Sequence, residues 1–175
     1  MKETIKKSAL VFIALVAFLA SGSALTTLAA EKNEMFLISR MSGVNETPAV
    51  STQATGKTVF TVDNDAKEIN FILSVENIDN PTMAHIHLGK AGEKGNVIVN
   101  LFPMGNDQAK SGNFSGVLSR GTIREGDLTG PLSGKSFQDL IAEMKNNNTY
   151  VNVHTGSHPD GEIRSQIRMI NLNQI

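Results

Sequence analysis

Beyond residue 34 the chain is dominated by short runs in which apolar and polar residues alternate with period two, the pattern of strands buried on one face. Met35-Phe36-Leu37-Ile38-Ser39 is the first, followed by Gly56 to Val62 and Glu68 to Val75. Asp63-Asn64-Asp65-Ala66 lies between the last two, and Asp and Asn tolerate tight turns, so those strands are expected to pair as a hairpin. Asp79-Asn80-Pro81-Thr82 reads as a loop. Met83 to Leu88 and Asn96 to Phe102 flank a turn rich in glycine (Gly89, Gly92 and Gly95) and read as a second hairpin, whereas Pro103 to Gly112 is irregular. Phe114 to Ile123 is strand-like, with glycines that suggest a bulge.

The period changes once. Phe137, Leu140, Ile141 and Met144 fall at helical spacing behind Ser136, a residue suited to cap a helix, and Asn146-Asn147-Asn148 ends the segment. A last pair, Tyr150 to His154 and Glu162 to Met169, flanks the turn Gly156-Ser157-His158-Pro159-Asp160-Gly161. Many short strands with one short α-helix predict an all-β fold, an antiparallel Greek-key sandwich or barrel.

Residues 1–30 follow a different logic. Lys2, Lys6 and Lys7 precede an uninterrupted apolar run from Ala9 to Ala20, and small residues follow, which reads as a signal peptide cleaved near Ala30. The run is short for a membrane span, so attachment is expected only through an uncleaved signal. Residues 31–175 then form a single domain of secreted, cell-envelope or extracellular location. Removing three lysines and Glu3 from 16 basic and 17 acidic residues leaves a net charge of 13 − 16 = −3. With no basic stripe interleaved with aromatics, nucleic acid is a poor partner. The absence of cysteine excludes a disulfide scaffold and thiolate metal sites.

The chemistry concentrates in four histidines, all in two strand-like segments: His85 and His87 in one, His154 and His158 in the other. Strand alternation puts His85 and His87 on one face, with Ala84, Ile86 and Leu88 on the buried side, so the histidines are expected to face outward. In the last hairpin Val151, Val153, Ile163 and Ile167 should point inward, leaving Tyr150, Asn152, His154, Glu162, Arg164 and Gln166 on a polar face. If the segments share a sheet, His85, His87, His154 and His158 form an all-nitrogen set that suits copper or zinc and suits calcium or magnesium badly. Asn152, Glu162 and Asp160 would orient the rings, and Arg164 would steer small anions. Glu162 and Arg164 could also form a same-face ion pair. The alternative is that the histidines simply hydrogen-bond within a polar network. No residue is assigned a catalytic role.

Four motifs occur in order: Gly43-Val44-Asn45-Glu46-Thr47-Pro48-Ala49-Val50, Ala84-His85-Ile86-His87-Leu88-Gly89, Tyr150-Val151-Asn152-Val153-His154-Thr155 and Gly161-Glu162-Ile163-Arg164. In this order they resemble the CHRD domain, the module first recognised in chordin, over roughly Met35 to Met169. The chain departs from that pattern at Thr47, Asn148 and Ser165, where proline, glycine and glycine are usual. The resemblance implies an exported module that binds an extracellular or cell-surface partner. Growth-factor antagonism belongs to chordin's multidomain context and does not follow for one copy. His85, His87 and His154 are similar, in order and role, to the copper-binding histidines of Cu/Zn superoxide dismutases, and the expected sandwich or barrel is immunoglobulin-like or superoxide dismutase-like. The chain lacks their cysteine pair and histidine-rich zinc loop. Three functions therefore stand: a binding or structural module with a copper or zinc site, a copper-dependent redox enzyme, and a metal-free adhesion module.

Overall fold

A computed structural model describes residues 35–103 and 110–170. The signal expected over 1–30 and part of the irregular stretch after Pro103 lie outside the described residues. Among the described residues no helix is long and apolar enough to cross a membrane.

The described residues form nine strands: β1 (Met35–Ser42), β2 (Thr55–Asp63), β3 (Glu68–Asp79), β4 (Pro81–Leu88), β5 (Val97–Phe102), β6 (Asn113–Ile123), β7 (Thr149–Thr155), β8 (Ile163–Gln166) and β9 (Arg168–Met169). The helix α1 (Phe137–Lys145) precedes β7. The strands run in the order β5-β4-β7-β8-β1-β2-β3-β6, with β9 also on β1, and every pairing is antiparallel. The end strands β5 and β6 approach one another, so the sheet curls into a nearly closed barrel in which β3 to β6 follow Greek-key order.

The expected hairpins form. β2 pairs with β3 through Val62 opposite Ile69, and β4 pairs with β5 through Ile86 opposite Val99. Gly116, at φ 140°, sits in the irregular part of the β3–β6 ladder, where the register shifts between Val75 and Ile78. The loop expected at residues 79–82 is instead one residue long. Asn80 turns the chain at φ 46°, and Pro81 already pairs with Thr155. Asn is among the few side chains that accept this left-handed conformation.

Alternation places the core as anticipated: Ala84, Ile86, Val151, Val153, Ile163 and Ile167 are all fully buried within one apolar cluster. Helix α1 covers part of it with Phe137, Leu140, Ile141 and Met144. Ser136 and Asp139 cap its start reciprocally, each side chain accepting from the other's backbone N–H. Its exit is fixed where the Gly89 N–H donates to the Asn148 carbonyl at 2.7 Å. The Gln166 side-chain amide donates to the carbonyls of Gly89 and Asn147. The end of β4 is therefore anchored next to the histidines it carries.

Candidate metal centre

β4 and β7 lie side by side in the middle of the sheet, with His85 opposite Asn152, His87 opposite Tyr150 and Met83 opposite His154. Directly opposed residues share a face, as do residues two apart in one strand. The histidines therefore occupy the face turned away from the apolar core. That face is polar as expected, but it is not open to solvent. His85 is only 9% exposed and His154 only 6%, and every residue of β7 is buried. The expectation of outward-facing rings is corrected by a second layer: the segment from Gly43 to Ala54 and the turns 89–95 and 156–161 fold over the sheet and hydrogen-bond to it.

Three rings converge. One ligand nitrogen from each of His85, His87 and His154 lies within 4.8 Å of the other two. His85 Nδ1 is 3.1 Å from His154 Nε2. Backbone carbonyls set the tautomers, because a carbonyl only accepts. His154 Nδ1–H donates to the Pro159 carbonyl at 2.8 Å, and His87 Nδ1–H donates to the Gly95 carbonyl at 2.9 Å. Each of those rings then presents an Nε2 lone pair, and His85 Nδ1–H donates into that of His154. His87 Nε2 is buried without a hydrogen-bond partner. An unpaired buried acceptor is costly unless something else occupies its lone pair, and a cation would satisfy it.

Burial keeps all three imidazoles neutral. Loss of water pushes His85 down to about 4, and the neighbouring His154 and His87 push the same way. His87 and His154 are lowered by the same desolvation, opposed by the bonds to Gly95 and Pro159. Neutral imidazole is the metal-binding form. For all three to offer lone pairs, His85 has to carry its proton on Nε2. The donor set is all nitrogen, which fits copper or zinc and not a hard cation.

The fourth histidine is not brought into this group. His158 acts through its backbone: its N–H donates to Thr155 Oγ1 and its carbonyl accepts from Gly161 N–H, shaping the turn that delivers the Pro159 carbonyl. The polar residues expected to support the rings also take other partners. Asn152 donates to Glu46 Oε1 at 2.7 Å, and Glu162 accepts from Thr52 and Thr155 at 2.7 Å each. Arg164 is 2% exposed, with its guanidinium 3.6 Å from the centre of the Tyr150 ring, so it stiffens the aromatic layer and is shielded from anions in bulk solvent. Its expected ion pair with Glu162 is replaced by this stacking and by a long hydrogen bond to the Lys90 carbonyl.

Two participants escaped the sequence reading. Tyr150 stacks on His87, with the rings 4° from parallel and their centres 4.8 Å apart, and its hydroxyl accepts from Gly95 N–H. It thus braces both the His87 ring and the turn that orients it. Glu46 reaches in from the covering segment, and burial raises its carboxyl to about 7 against the opposing pull of Arg164. Gly161 lets this happen. At φ 128° it occupies a conformation that side chains rarely adopt, and a Cβ there would land on Asn152 Nδ2 and Glu46 Oε1. A glycine next to an acidic residue and an arginine was visible in the sequence, but its contact with Glu46 was not.

No curated protein and no solved structure matches the sequence. The family model for the CHRD domain matches residues 37–167, which include all of the strands that carry the three rings and all of the sheet except the first two residues of β1 and the short β9. Over that span, which takes in every motif that shapes the covered polar face, the chain belongs to the CHRD domain family.

Proposed function

We propose that this CHRD domain is an exported binding module that holds one copper or zinc ion on His85, His87 and His154. The reading is carried by one observation: three neutral imidazoles from adjacent strands bring their ligand nitrogens within 4.8 Å of one another, and the Nε2 of His87 is buried without a partner. Pairs of rings in an ordinary hydrogen-bonded network satisfy their nitrogens, and this network leaves one unsatisfied. The backbone acceptors at Gly95 and Pro159 set ring orientation in the way that hydrogen-bonded partners of metal ligands generally do. A bound ion would supply Lewis acidity there, or electron transfer if it is copper. Export rests on the order of charged, apolar and small residues over 1–30.

Elemental analysis of tag-free protein after incubation with copper or zinc and desalting tests the proposal. About one equivalent is expected for the wild-type chain. The His85→Ala/His87→Ala variant, checked for folding by circular dichroism, should retain almost none, because a lone imidazole at His154 binds weakly. Negligible metal in both proteins would reject the site.

A further inference from the structure

Among the described residues, Met83 is the one large apolar side chain on the histidine face that packing does not explain. It precedes His85 and His87 at two-residue steps, so the three share a face of β4, and it stands directly opposite His154 on β7. It therefore flanks the His85–His154 contact, the shortest in the cluster. Yet it is 40% exposed and takes no part in the apolar core. A thioether on an unbranched chain with three rotatable bonds reaches irregular positions easily and is a soft donor.

We infer that Met83 is a fourth ligand and that the ion which this site takes is copper in its cuprous state, an inference that rests on the metal-holding role proposed above. The donor set agrees with it. His85, His87, His154 and Met83 are all neutral donors, and the carboxylates nearby are held by other partners: Glu162 by Thr52 and Thr155, Glu46 by Asn152, and Asp160 by Lys94 at 3.6 Å. With no carboxylate among its ligands, a partly desolvated site is left with less uncompensated charge by a monovalent ion than by a dication. Soft thioether with imidazole selects Cu(I) over zinc.

The test is an anaerobic competition for Cu(I) against a chromophoric cuprous chelator, with ascorbate present, on the wild-type protein and Met83→Leu. Leucine is close in volume and the position is exposed, so the fold should be kept. Cu(I) affinity should fall by about tenfold or more in the variant while zinc affinity stays within about twofold. Copper K-edge absorption should show a sulfur neighbour in the wild-type protein that is lost in Met83→Leu. Equal Cu(I) affinity in the two proteins, or an equal fall for zinc, would overturn the role of Met83 and leave the three-histidine site standing. If wild-type protein binds neither Cu(I) nor zinc, the site itself fails, and Met83 with it.

Discussion

Gly161→Ala is expected to destabilise the metal-free protein by about 2 to 6 kcal/mol. The backbone strain of an L-residue at φ 128° costs roughly 1–3 kcal/mol. Displacing the buried hydrogen bond between Asn152 and Glu46 adds roughly 1–3 kcal/mol, because both polar groups would then lose their partner away from water. Gly156, in the same turn, has open space around its Cβ position, so Gly156→Ala serves as a control that should stay within about 0.5 kcal/mol. Urea denaturation of the three proteins at one pH checks this. A Gly161→Ala midpoint close to that of the control would mean that the covering layer is not held through this glycine. The same variant should also weaken zinc binding, since Pro159, which orients His154, is two residues away in the turn.

Replacing Glu46 by glutamine should change how stability responds to acid. Two sets of buried groups oppose each other in the metal-free protein. The histidines have native pKa values below the ordinary 6.5, so from pH 6.5 downward the unfolded chain takes up protons that the folded chain refuses, and stability falls. Glu46 has a native value of about 7 against 4.5 when unfolded, so between those limits the folded chain takes up the proton first and acid favours folding. The two trends partly cancel from about pH 6.5 to 5. In Glu46→Gln the stabilising half is gone, and stability should drop over this interval by about 1–2 kcal/mol more than in the wild-type protein, after a discount for solvent screening. At pH 7.5 and above the variant should be the more stable protein, because no carboxylate charge is buried. Denaturation curves at pH 8, 6.5 and 5 decide the matter, and parallel profiles for the two proteins would mean that Glu46 ionises like an exposed side chain.

Much of the barrel was legible because strand alternation is a local code. The fully buried Ala84, Ile86, Val151 and Val153 follow directly from it, and so does the common face of His85 and His87. The helix was legible because Ser136 and the spacing of Phe137, Leu140, Ile141 and Met144 agree. Alternation tells which side of a strand avoids the core, but it does not tell whether another layer closes over that side. Hence the rings of His85 and His154 were expected in solvent and are found nearly buried. Glu46 was missed for the same reason. A glutamate among Asn45, Thr47 and Pro48 looks like a solvated loop residue until the fold brings it over Asn152, 106 residues away in the chain. Asn80 misled in the other direction, since Asp-Asn-Pro usually announces a loop and here one left-handed asparagine suffices.

The stacking of Tyr150 on His87 also gives the molecule a built-in optical reporter. The chain has one tyrosine and no tryptophan, so emission excited beyond the phenylalanine absorption band comes from this ring alone. Paramagnetic Cu(II) held by His87 would quench that emission at close range, whereas closed-shell zinc or Cu(I) would leave most of it intact. Oxidation of bound copper can thus be followed in dilute, label-free solution from the light of a single side chain.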